Sequence, residues 1–270
     1  MSRALVSPTG KDKAIGPVRP SAAVQRDYYK RIVGLVQDMS EQINRRVEAM
    51  YKRAQPQIAQ DESSLARLKR EVAEMTRAWQ DAFDDKAKPI AERFIRQTYG
   101  HTVSTAQKRM KAAGMMIKFK PSQRTRQIMS AAIAENTKLI KSIASEYLDD
   151  VNGIVNRGIM GGYDHARVIK ELRHRYGVTQ RRAAFIARQE ASNATADLNK
   201  ARDLDAGIEE GIWVHVDGQL HPRPSHLEAG HERRRFRLAE GLELDGKRTW
   251  PGKEFNCSCY YIPIIPGFNG

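Results

Sequence analysis

The sequence predicts a mostly α protein with a small C-terminal α+β unit, and three observations lead there. Apolar residues recur at steps of three and four from Tyr28 to Ala194, the spacing that places them on one helix face. After Gly211 this gives way to two short runs suited to strands, 212–216 and 259–262, with turn-rich chain between them. The same stretch gathers His215, His221, His226 and His231 ahead of Cys257 and Cys259, four of the seven histidines and both cysteines. The chain thus divides into a flexible N-terminal arm over 1–20, an elongated helical region over 21–135 and a compact domain over 136–270.

In the arm, Pro8, Gly10, Gly16, Pro17 and Pro20 give turn composition without periodicity, while Arg3, Lys11, Lys13 and Arg19 offer charge to a larger partner. Ser21 is placed to cap a first helix with its apolar face on Tyr28, Ile32, Leu35, Met39, Ile43, Val47 and Met50, ended by Pro56. Some ~35 residues at 1.5 Å each give a rod of ~50 Å. A second helix from near Asp61 carries Leu65, Leu68, Val72, Met75, Trp79 and Phe83, and pairs with the first as an antiparallel hairpin. Pro89 suits the first turn of a third helix with Ile90, Phe94 and Ile95, interrupted or ended by Gly100 and Gly114. Residues 115–120, ahead of Pro121, read as a short strand or extended connector.

Ser122 then caps a long helix through Ile128, Ile133, Leu139, Ile140, Ile143, Tyr147 and Val151, closed by Gly158, Gly161 and Gly162. Asp164 is placed to cap a helix with Val168, Ile169 and Leu172 that stops at Gly177. Thr179 opens another, whose small face of Ala183, Ala184, Ile186, Ala187, Ala191 and Ala194 permits close helix approach, ending near Gly207. Arg188 and Glu190 stand two positions apart and do not face each other, so Glu190 is expected in a structural ion pair elsewhere.

Composition narrows the partners. The 46 lysines and arginines against 32 acids leave a net charge of +14, which favours polyanions such as double-stranded DNA. No apolar run approaches the roughly 18 residues of a membrane span. Ser7, Pro8, Gly10, Lys11, Asp12 and Lys13 replace the apolar core of a signal peptide, so synthesis in the cytoplasm is expected.

Pairing the two C-terminal strands would bring His215 to the same end as Cys257 and Cys259. Cysteines one residue apart close a strained disulfide ring, and a reducing compartment disfavours one further. Two thiolates with His226 and either His231 or His215 would instead complete a tetrahedral shell for one structural zinc ion. Our ligand set is His226, Cys257, Cys259 and His231. The single residue between the cysteines departs from the usual gap of two to four.

No catalytic residues are assigned. A zinc deaminase needs Glu two positions after a ligand His and two residues between its cysteines, whereas Glu232 follows His231 directly and Ser258 alone separates the pair. No orienting third residue completes a Cys/His nucleophile, and no glycine-rich phosphate loop occurs. The expectation is a protein that is not an enzyme.

With these residues in hand, the chain over about 139–265 resembles the phage Mu F-like minor head proteins, the head-morphogenesis family of tailed bacteriophages. The resemblance rests on Gly161 and Gly162; on Arg182, Ala183, Ile186, Ala187, Arg188 and Glu190; on Arg202, Gly207 and Trp213; and on Asp217, Arg223, His226, Gly230, Pro251, Gly252, Asn256, Cys257 and Cys259. Gln189 stands where the family usually has threonine or serine, and Ser258 where it has arginine. The span from Asp217 to His226 carries inserted residues, Gly218 to His221 among them. The resemblance implies a head-morphogenesis domain over 136–270 and a minor capsid protein of the virion, at the head interior or portal vertex. Its implied partners are the portal protein, major capsid or scaffold proteins and DNA, during assembly, packaging or ejection.

Overall fold

Stepwise apolar spacing produces the long helices, and all but one of the short strands follow them in the chain. The computed structural model describes residues 13–54, 62–160, 165–217 and 222–265. Residues 1–12 of the expected arm, Pro56, Asp61, Gly161, Gly162, Asp164 and the inserted residues 218–221 lie outside the described residues. The elements run β1 (Lys13–Ala14), α1 (Ala22–Ala54), α2 (Glu62–Ala112), α3 (Gln123–Met160), α4 (His165–Asp205), β2 (Glu210–Val214), α5 (Pro224–His231), β3 (Arg235–Arg237), β4 (Leu242–Leu244), β5 (Lys247–Thr249) and β6 (Tyr260–Ile265). The chain is mostly α, with a small C-terminal unit of short antiparallel strands.

Two expected helix breaks are absent. Pro89 lies inside α2, where it forfeits one backbone hydrogen bond. Buried Phe83, Ala87, Ala91, Phe94 and Ile95 hold the helix on both sides of it. Gly177 and Thr179 likewise lie inside α4, and Thr179 Oγ1 donates back to the Arg175 carbonyl at 3.1 Å in place of capping a new helix. The expected stops and caps do form elsewhere. Ser122 Oγ accepts the Thr125 N–H at 3.0 Å, and Gly114 and Gly207 end α2 and α4 at φ 85° and 77°. At Gly207 the Ile208 N–H reaches the Asp203 carbonyl at 2.9 Å, closing a Schellman turn. Residues 115–120 form a connector without strand pairing.

The chain forms two compact units, one from 26–92 and 134–187, the other from 1–25, 93–133 and 188–270. The division expected at residue 135 is therefore replaced, because α2, α3 and α4 each contribute one stretch to each unit. In the first unit Tyr28, Ile32, Met39 and Ile43 of α1 are buried together with Met75 and Phe83 of α2, Ile143 and Tyr147 of α3, and Leu172 of α4. Buried hydroxyls there find partners: Tyr28 Oη donates to Asn136 Oδ1 at 2.7 Å, and Tyr147 Oη to Ser40 Oγ at 3.0 Å. Burial also pushes the Tyr147 phenol up from its ordinary pKa.

The second unit holds a four-stranded sheet in the order β1-β6-β2-β3, with β4 and β5 as a separate hairpin turned on Asp245 and Gly246, φ 52° and 73°. Here the free-arm expectation is corrected for residues 13–20. β1 pairs with β6, Ile15 and Val18 are buried, and Asn199 Nδ2 donates to the Val18 carbonyl at 2.8 Å. Two apolar side chains with seats in the core outweigh the turn-forming composition around them.

A buried polar network pins β6. Arg202 gives Nε and Nη2 to Asp203 Oδ1 at 2.8 and 2.6 Å, and Nη1 to the Thr102 carbonyl and Asn199 Oδ1, both at 2.8 Å. Tyr261 Oη closes the set on Asp203 Oδ2 at 2.6 Å. With Arg202 and Asp203 at 2% and 0% exposure, removing one partner strands the other's charge. Asp203→Ala should therefore lower stability by about 3–5 kcal/mol, read as the shift of the urea midpoint, while Tyr261→Phe should cost about 1–3 kcal/mol.

Candidate metal centre

The centre is assembled by strand register. In the β2–β6 pair Val214 lies opposite Tyr260, so the next residue of one strand, His215, meets the preceding residue of the other, Cys259. His215 Nδ1 is 3.4 Å from Cys259 Sγ. α5 supplies His226 from its buried side together with Ala229, one turn on. His226 Nδ1 lies 3.5 Å from Cys257 Sγ and 3.8 Å from Cys259 Sγ.

His226, Cys257 and Cys259 are buried, and their ligand atoms all fall within 4.8 Å of one another. This group could hold a metal ion. A tetrahedral ion with sulfur at about 2.3 Å and nitrogen at about 2.0–2.1 Å has N···S edges of about 3.6 Å, close to the separations found. His215 adjoins the group at the Cys259 side only. His231, expected as a ligand, is exposed at the last position of α5 and lies outside the group. Five residues carry it about 140° around the helix from His226.

The surroundings favour negative sulfur. Cys257 is lowered to about 4, above all by the hydrogen bond from the Cys259 thiol. Burial opposes that shift, and His226 and the N–H groups of Cys259 and Gly252 support it. Cys259 is pushed up, first because it retains the proton it donates to Cys257, then through burial and the Cys257 charge. The two thiols are close enough to titrate as a pair. The Trp213 indole, fully buried, packs edge-on against His226 with centroids 5.1 Å apart. The Val216 N–H favours negative charge on the Cys259 sulfur. Donors aimed at sulfur are what a metal-bound thiolate requires.

The backbone approaches closely at two glycines. A Cβ on Gly230 would come within 2.6 Å of the His215 nitrogen and collide with the His215 Cβ. Gly252, at φ 85°, lets the loop turn where a side chain would be strained. The loop is held from α4: Asn256 N–H donates to Gln189 Oε1 at 2.8 Å, Gln189 Nε2 to the Glu254 carbonyl at 3.3 Å, and Ser192 Oγ to the Cys257 carbonyl at 3.2 Å. Arg188 reaches Asn256 Oδ1 at 3.4 Å, and Arg223 the Phe255 carbonyl at 3.0 Å. Buried Glu190 accepts from Asn193 Nδ2 at 3.0 Å. Sequence reasoning missed the Arg202–Asp203–Tyr261 network and the supporting role of Gln189. The step from Ala194 through Leu198, Asn199 and Arg202 along one helix face was the available signal for the network.

A cavity of about 20 Å³ is lined by Ser192, Gly252, Cys259 and Tyr261 among others. It has room for a water molecule and not for an organic substrate. Among the described residues no helix is long and apolar enough to cross a membrane.

Comparison with known proteins adds little detail. No family model matches the chain, and no solved structure matches it. An uncharacterized protein of Haemophilus influenzae is 32% identical over 138 residues, which cover 51% of this chain and 29% of that protein. The chain thus spans under a third of that relative's length.

Gly230→Ala tests the seating of α5 against His215. The added methyl should destabilise the C-terminal unit by about 1–3 kcal/mol and disturb the centre. Gly34→Ala in α1, where a Cβ meets nothing within 4 Å, should stabilise by about 0.5–1 kcal/mol, both variants being read by thermal unfolding.

Proposed function

We propose that the chain is a non-enzymatic minor head protein of a tailed bacteriophage whose C-terminal unit is locked by one structural zinc ion. In this reading it is made in the host cytoplasm, joins the head at its interior or portal vertex, and contacts the portal, capsid or scaffold proteins and DNA. The observation that carries it is convergence. Trp213, Arg223, His226, Gly230, Gly252, Asn256, Cys257 and Cys259, residues on which the resemblance to head-morphogenesis proteins rests, all bear on one buried centre. Arg188, from the same set, holds its loop.

Zinc fits the donor set, since two thiolates and imidazole are its usual structural ligands. His226, Cys257 and Cys259 would hold it, with His215 the nearest fourth side chain, and the ion would act as a cross-link between α5, the loop and β6. Burial of all three ligands favours a cross-link over a catalytic centre, which keeps an open coordination position.

Two measurements test the proposal separately. Elemental analysis should find about one zinc per chain, lost together with thermal stability in the Cys257→Ser, Cys259→Ser double variant; full folding in chelator with no bound zinc would refute the cross-link. In infected or co-expressing cells the protein should co-sediment with portal or procapsids. Recovery only as free protein would refute the head assignment.

A further inference from the structure

We propose that residues 93–126, the end of α2, the connector and the start of α3, form a docking surface for double-stranded DNA. The inference rests on the reading that DNA is a partner and says where contact is made. It stands outside the stretch that resembles head-morphogenesis proteins, and it does not involve the metal centre.

Charge is distributed unevenly. The unit formed by 1–25, 93–133 and 188–270 has 24 lysines and arginines against 14 acids, a net +10 of the chain's +14. Within it, residues 93–133 contain nine cations, Arg93, Arg96, Lys108, Arg109, Lys111, Lys118, Lys120, Arg124 and Arg126, and no aspartate or glutamate. All but the half-buried Arg109 are exposed. Among the described residues Lys108, Lys111, Lys118, Lys120 and Arg124 have no ion-pair partner.

The backbone presents these cations in order. On α2, Lys108 and Lys111 stand three apart and share a face. Along the connector Ile117 and Phe119 are half-buried while Lys118 and Lys120 are exposed, so the two lysines project the same way about 6.6 Å apart. Gln107 Nε2 donates to the Ile117 carbonyl at 3.4 Å, and the Arg202 guanidinium lies 5.6 Å from the Phe119 ring, which fixes the inward side. Asp205 then holds the start of α3 through the Ser122 N–H at 3.1 Å and Thr125 Oγ1 at 2.6 Å, setting Arg124 beside the connector.

Around Arg109 the nearby cations add up: its pKa is lowered by burial and then by Arg19 and Arg202. A row of unpaired cations across a helix end, a connector and a helix start suits an extended polyanion, where each phosphate contact releases counterions. Met116 is the one large hydrophobic exposed on this surface among the described residues, which gives a membrane little to anchor.

The test measures binding of the full chain to a 20-base-pair duplex by fluorescence anisotropy across a salt series, with anionic phosphatidylserine vesicles and a polyglutamate peptide as parallel probes. Lys118→Ala, Lys120→Ala and Arg124→Ala combined should lower the slope of log affinity against log salt by about 3 and weaken binding more than about tenfold at ~0.1 M salt. The exposed Arg235, Arg237 and Arg248, each changed to Ala, remove equal charge elsewhere in the unit and should leave the slope unchanged. The surface is overturned if the first variant binds DNA like the unaltered chain, if the second loses as much, or if only vesicles or polyglutamate bind. Co-sedimentation with procapsids reports on the head assignment independently of these outcomes.

Discussion

Two sulfurs and an imidazole buried within 4.8 Å of one another form the constraint on which the C-terminal unit depends. Taking such groups out of water is costly unless their protons and charges are compensated. Here the Cys257 thiol is lowered by its Cys259 neighbour, and main-chain N–H groups from Gly252, Val216 and Cys259 favour negative charge on the pair. Nothing in that arrangement serves apolar packing alone. It brings together the end of β2, a helix of eight residues and the loop before β6, elements with too few residues to bury a core by themselves. A metal ion bound there would cross-link positions as far apart as His226 and Cys259 and remove much of the freedom of the chain between them.

β6 is also held by different means. Tyr261, two residues after Cys259, projects to the Arg202–Asp203 pair, and through Arg202 to the Thr102 carbonyl and Asn199. Asn199 in turn fixes the Val18 carbonyl, so β1 is secured along the free edge of β6. Cys259 and Tyr261, two residues apart, thus tie the start of this strand to the candidate metal centre and to a buried ion pair. The two anchors explain how a sheet of such short strands keeps its register.

Much of this was legible in the sequence. The 3.6-residue spacing revealed the helices, and pairing the two apolar runs placed His215 beside the cysteines, as the Val214–Tyr260 register bears out. Three things were not legible. Pro89 and Gly177 signalled breaks, but local signals yield where buried neighbours hold the helix on both sides. The compact units could not be read from linkers, because distant segments of α2, α3 and α4 come together and no linker separates them. His231 was as plausible as His215 by residue type. Only the phase of α5, which turns His226 inward, decides between them.

X-ray absorption at the zinc edge of the purified chain tests the central claim most directly, since it reads the ligands and not merely the metal content. A zinc cross-link gives a four-coordinate shell with two sulfurs at about 2.3 Å and nitrogen at about 2.0–2.1 Å, reduced to a sulfur-free shell in the Cys257→Ser, Cys259→Ser variant. A shell of oxygen and nitrogen alone in the unaltered protein, or no zinc at all, would contradict it.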